Sequence, residues 1–119
     1  MILVDTSVWV DHLRDGNIQL TTLLDTAEVW THPFVIGELA CGNLSNRDEL
    51  LLLLGNLPQL VVATDTEVLF YIEQHRLMGR GIGYIDAHLL AAVAIAAPIK
   101  LWTRDRRLAK VAGELGIRV

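Results

Sequence analysis

Four acidic residues stand in this sequence where solvation alone does not explain a carboxylate: Asp5, Glu38, Asp86 and Asp105. Asp5 ends the run Met1-Ile2-Leu3-Val4, whose unbroken apolar character is that of a strand buried on both faces. An ionised carboxylate is costly to bury without a cation or hydrogen-bond donors. At the carboxyl end of a central parallel strand it would face the crevice where such folds bind ligands. Asp5 could equally serve only as the cap of the helix that follows, so the question is whether other acids reach the same edge. Glu38 lies in an apolar helical stretch between Phe34 and Cys41-Gly42. Asp86 falls in the first turn of an Ala- and Leu-rich helix, whose positive end favours the ionised form. Asp105 follows a late apolar strand through Thr103-Arg104. Two carboxylates about 4 Å apart repel by about 1 kcal/mol in water and about 4 kcal/mol at the effective dielectric of a protein surface. A cluster of such groups persists only with protons or cations. Oxygen ligands without His or Cys favour Mg²⁺ or Mn²⁺ over zinc, and the matching chemistry is metal-assisted phosphodiester hydrolysis, with one or two ions.

The elements that must carry these acids alternate. Strands are expected at 2–4, 28–31, 60–63 and 99–102, with a last edge strand at 117–119. Between them, helical patterns cover Ser7 to Arg14, Ile18 to Thr26, Pro33 to Cys41, a segment capped by Asn46 and running through Leu54, a segment opened by the capping box Thr64–Glu67, Tyr84 to Ala97, and a last helix striped by Leu108, Val111, Ala112 and Leu115. This alternation predicts an α/β fold, a central, mainly parallel sheet of four to five strands between helical layers. The five consecutive leucines of 50–54 are apolar all round, hence deeply buried or part of an oligomer face.

At 119 residues the chain reads as a single domain, 1–119, large enough for a core without disulfides. One cysteine excludes an internal disulfide and a cysteine-rich zinc site. The uncharged runs, 87–99 among them, are too short to span a bilayer, and the N-terminal segment does not read as a signal peptide, so a cytoplasmic protein without membrane contact is expected. The net charge of −4 disfavours nucleic acid until its distribution is considered. Residues 1–75 hold two basic and eleven acidic side chains (−9), residues 76–119 eight basic and three acidic (+5). Arg80, Arg104 and Arg106 are the cations expected to hold phosphates of a nucleic acid, since local potential matters more than the sum.

Asp5-Thr6-Ser7-Val8-Trp9, Glu38-Leu39, Gly83-Tyr84-Ile85-Asp86-Ala87 and Leu101-Trp102-Thr103-Arg104-Asp105 occur in that order. Together they resemble the PIN domain, and specifically the VapC type of bacterial toxin ribonuclease, over essentially the whole chain. The resemblance implies a three-layer α/β/α sandwich and cleavage of RNA with Mg²⁺, for which Mn²⁺ can substitute. It also implies neutralisation by a cognate VapB-type antitoxin, a homodimer, and a higher toxin–antitoxin assembly. It assigns Asp5, Glu38, Asp86 and Asp105 as metal-holding catalytic residues, with Ser7 and Thr103 as supporting polar groups. Some relatives carry a further acid where this chain has Arg107, which implies a weaker second ion site.

Other motifs carry less. Gly79-Arg80-Gly81-Ile82-Gly83 follows a helix and has neither the dinucleotide nor the P-loop spacing. His12, His32, His75 and His88 share no metal spacing; His12 and His75 are expected at the surface, and His88 and Cys41 in packing roles. Trp9 fits the core or an antitoxin contact better than a base-stacking platform. A phosphoryl-accepting signalling domain would want a lysine ending a late strand, where this chain has Thr103. A catalytically silent interaction module, or a nuclease acting on DNA, are the remaining readings.

Overall fold

The computed structural model describes all of residues 1–119. In chain order the elements are β1 (Ile2–Val4), α1 (Thr6–Asp15), α2 (Ile18–Asp25), β2 (Val29–Trp30), α3 (Pro33–Ala40), α4 (Arg47–Asn56), α5 (Asp65–His75), α6 (Tyr84–Ile95), β3 (Lys100–Trp102) and α7 (Arg106–Glu114). The strands form a parallel sheet of order β2-β1-β3, with Ile2 opposite Val29 and Lys100, and Leu3 opposite Trp30 and Leu101. The chain therefore steps from β1 to one side for β2 and to the other for β3. That reversal makes the carboxyl end of β1 a topological switch point, with Asp5 at its mouth.

The sheet has three strands, not the expected four to five. The segment expected as a strand at 60–63 touches the sheet through a single bridge, Gln59 to Thr31. Two hydrogen bonds make it: Thr31 N–H donates to Pro58 O at 2.9 Å and Leu60 N–H to Thr31 O at 2.8 Å. Pairing stops there because His32 caps α3 and Pro33 begins it, which removes the next donor and turns the backbone away. Val61, 84 % exposed, already projects into solvent. The 117–119 segment likewise makes one bridge, Arg118 to Leu101, because the remaining hydrogen-bonding groups of β3 face β1.

Helices cover this sheet. Leu3, Val4 and Leu101 are fully buried between them. α6 is buried from Ala87 to Val93 without a break, as expected of a helix apolar all round. α7 is the opposite case, with Leu108, Ala109, Val111 and Ala112 inward and its charges outward. The capping box at the start of α5 forms as its sequence indicates, with Glu67 N–H donating to Thr64 at 3.1 Å and Thr64 N–H to Glu67 at 2.8 Å. The leucine run divides: Leu50 and Leu54 are buried, Leu52 and Leu53 exposed. Trp9 lies in the core. Cys41, expected in packing, is exposed because it ends α3 at the rim of a cavity shared with Phe34 and Glu38. His12, expected at the surface, is half-buried because its Nδ1 accepts the backbone N–H of Asn17 at 3.0 Å. No helix is long and apolar enough to cross a membrane.

Candidate active site

Asp5 is the hub of the switch point. It is 6 % exposed, and it does cap α1, accepting the Ser7 N–H at 3.4 Å. Capping is the lesser part of its bonding. The Ser7 hydroxyl donates to Asp5 Oδ2 at 2.6 Å and the Thr103 hydroxyl to the same oxygen at 2.8 Å. Each hydroxyl is polarised from behind: Arg104 N–H donates to Ser7 Oγ at 3.0 Å and Asp105 N–H to Thr103 Oγ1 at 3.1 Å. Such chains of hydrogen bonds strengthen one another. They lock the turn after β3 onto the turn after β1, and the Asp5 N–H adds a bond of 2.9 Å to Trp102 O. Asp105 in turn caps α7, with Oδ1 accepting from Arg107 N–H at 2.9 Å and Leu108 N–H at 3.0 Å.

The other two acids come from helices. Glu38, in the second turn of α3, is exposed and receives the Thr6 hydroxyl on Oε1 at 2.7 Å. Asp86, in the first turn of α6, is half-buried, and its Oδ2 accepts Gly83 N–H at 3.2 Å. Burial pushes the Asp86 carboxyl above the ordinary range; the Gly83 hydrogen bond opposes this, and the charges of Asp5, Asp105 and Glu38 add to it. Asp86 thus feels the charges of all three partners, which brings the four acids to the same edge of the sheet.

A common pattern runs through the four. Each carboxylate has one oxygen anchored by a protein donor, and its second oxygen receives none. None of the chain's ion pairs involves any of them. No three acidic, His or Cys side chains converge closely enough to enclose an ion by themselves. The four acids are therefore an all-oxygen, uncompensated anionic group. Such a donor set suits a hard divalent cation that keeps several waters better than a closed cage for zinc.

The cations sort differently. Arg80 donates to Glu114 at 2.6 Å and is held on the side of α7. Arg104 lies 3.6 Å from Asp11, and with Arg106 it lines a groove beyond Thr103 that also includes Trp102, Lys110 and Arg118. The spacing of Arg106 and Lys110, one helical turn apart, was the available signal for this groove; Arg118 arrives only through the bridge to Leu101. Arg107 lies across Gly81, where an added Cβ would meet its Cδ at 2.6 Å and φ is +79°. On the other flank, Phe34 and Tyr84 stack edge-on against His88, 2 % exposed, with Nε2 3.6 Å from Asp65.

A small parallel α/β sheet with four acids at its switch point is the arrangement of one class of protein. The PIN domain pattern matches residues 2–114, and the chain belongs to the PIN domain family, within it to the VapC type of ribonuclease toxin. It is 50 % identical over 117 residues to Ribonuclease VapC32 of Mycobacterium tuberculosis, in both strain CDC 1551 / Oshkosh and strain ATCC 25618 / H37Rv, covering 98 % of this chain and 94 % of the relative. The fold is similar to the crystal structure of PAE2754 from Pyrobaculum aerophilum, with a TM-score of 0.61 at 19 % identity, over 92 % of this chain and 83 % of that one.

Proposed function

We propose that the protein is the toxin of a type II toxin–antitoxin module, a divalent-metal-dependent endoribonuclease that hydrolyses RNA phosphodiester bonds and is neutralised by a VapB-type antitoxin. The observation that carries this reading is the four-carboxylate cleft in which every acid keeps one oxygen without a protein donor. Asp5, Glu38, Asp86 and Asp105 would hold Mg²⁺, directly or through water, and the ion would supply Lewis acidity and lower the pKa of a water.

The chain's own residues do the remaining work. Ser7 and Thr103 hold Asp5 Oδ2, which fixes the carboxylate in one orientation and leaves its other oxygen without a protein donor. Thr6 does the same for Glu38 and Gly83 for Asp86. Repulsion among the four keeps the cleft open to a cation and excludes an RNA phosphate until one is bound. The antitoxin reading rests on the family, as does a homodimer, for which Leu52, Leu53, Leu69 and Phe70 offer exposed apolar surface.

The test is cleavage of total cellular RNA by the purified protein with Mg²⁺ or Mn²⁺. Discrete fragments that disappear with EDTA and with Asp5→Asn support the reading. Fragments that persist in Asp5→Asn, or no cleavage together with no divalent-ion binding by calorimetry, overturn it.

A further inference from the structure

The groove beyond Thr103 has a volume of about 510 Å³ and is lined by Trp102, Arg104, Arg106, Lys110 and Arg118. We propose that it is a binding site for the phosphates of single-stranded RNA flanking the bond that is cut, which rests on the ribonuclease reading and deepens it.

The first argument is charge. The chain is acidic overall, at −4, yet four of its ten basic residues line this one groove and no carboxylate does. Only Arg104 among them has an ion-pair partner, and Asp11 stands at a loose 3.6 Å. Arg106 and Lys110 lie one turn apart on α7, and like charges at that spacing destabilise a helix by about 0.2–0.5 kcal/mol. Arg118 adds a third cation from the far side of β3, where the bridge to Leu101 holds its backbone. An arrangement that works against folding is relieved by an anion.

The second argument is continuity. Thr103 belongs to both places: it lines the groove, and its hydroxyl holds Asp5 at 2.8 Å. A strand whose phosphate sits among the acids would therefore enter the groove within its next nucleotides. Trp102, half-buried and in the groove, offers an aromatic face of the kind on which unpaired bases stack. A row of cations beside an aromatic ring is the chemistry of single-strand binding. An acidic peptide would not call for the ring or for contact with the acid cleft.

The experiment uses the full chain carrying Asp5→Asn, in EDTA, titrated with a short fluorescein-labelled single-stranded RNA oligonucleotide at several KCl concentrations. Each phosphate contact contributes about −0.7 to the slope of log K against log salt. Adding Lys110→Ala/Arg118→Ala is expected to flatten the slope by about 1.4 and weaken binding. The charge-matched control Arg14→Ala/Arg76→Ala, on exposed residues elsewhere, is expected to change the slope far less. Trp102→Leu is expected to lower affinity about tenfold with the slope unchanged. Melting curves by circular dichroism verify that each variant is folded. Equal slopes in the groove and control variants overturn the proposal, as does a groove variant that loses binding to poly-glutamate while binding RNA normally. Wild-type protein that cleaves RNA while the slopes stay equal removes the groove alone. No cleavage by wild type, with the slope still dependent on Lys110 and Arg118, removes the ribonuclease reading and leaves the groove.

Discussion

The two walls of the acidic cleft are built on different principles. The strand-end wall, Asp5 and Asp105, is a closed lattice: two hydroxyls, five backbone N–H groups and both carboxylates are joined across 98 residues of sequence. The helix wall, Glu38 and Asp86, is held by one donor per acid. Asp5 is buried and saturated on one oxygen, whereas Asp86 is half-buried and its ionisation is opposed by burial and by the other three charges. The lesson is a division in how the acids are held. The strand-end acids are fixed by many bonds, and the helix acids by one each.

The largest expected effect falls equally on both walls. Asp5→Asn and Asp86→Asn should each reduce RNA cleavage by about 10³-fold, the scale of several kcal/mol of charge stabilisation by a metal ion. The measurement is single-turnover cleavage of a defined RNA with saturating Mg²⁺. If either variant retains near wild-type rates, that acid is outside the working set.

The next effect acts on the helix wall through its foundation. His32 caps α3 through Nδ1, which accepts the Phe34 N–H at 2.9 Å. Burial, and then the nearby His88, hold its pKa down from 6.5 to about 4. The unfolded chain therefore binds a proton that the folded chain refuses. Stability from this group is present above pH 6.5 and is lost as pH falls toward about 4. That gap corresponds to about 3 kcal/mol. Urea denaturation between pH 7 and 4 should show this loss in the wild type, and His32→Asn, which can still cap but does not titrate, should lack it.

The contrast between the walls is sharpened by their hydroxyls. Thr103→Val removes a donor to Asp5 and the acceptor of Asp105 N–H, and groups that orient metal ligands are typically worth about 10–100-fold. Thr6→Val removes only the exposed bond to Glu38, and its effect on Mg²⁺-dependent cleavage should be smaller. Equal losses in the two variants would break the distinction.

How much of this was legible in the sequence follows from the range of each interaction. β1 announces itself through an unbroken apolar run stopped by a carboxylate, and β3 through Ile99 to Trp102, an apolar stretch broken by Lys100, with Asp105 following after Thr103 and Arg104. The capping box of α5 is local and was fully readable. The sheet's width was not: Leu60 to Ala63 has strand-like composition, but whether it pairs depends on His32 and Pro33 ending β2, about thirty residues away. The four acids and the support of Ser7 and Thr103 were expected from the motifs, but the lattice itself needs residues 5 and 103 brought together. The free oxygen on each acid, and the passage of Arg118 into the basic groove, have no local signature at all.

The smallest effect is the most discriminating, because the two walls should respond with opposite signs. Asp5→Asn leaves Ser7 and Thr103 with a weaker acceptor in a buried lattice, and disturbing a buried hydrogen bond destabilises by about 1–3 kcal/mol. Asp86→Asn does the reverse in the ion-free protein. Because the folded-state pKa of Asp86 is raised above 3.8, the stability that its protonated form contributes is complete below that value and is lost as pH rises through the folded pKa. At pH 7 the wild type carries the full penalty and the amide carries none. Thermal melts in EDTA should therefore place Asp86→Asn above the wild type and Asp5→Asn below it, with the Asp86 difference shrinking as the pH is lowered. Mg²⁺ should raise the wild-type Tm and erase the advantage of Asp86→Asn, because the same repulsion that weakens the empty cleft is what the ion relieves. If Asp86→Asn melts below wild type in EDTA, the helix wall is structural like the strand ends, and the division between them fails.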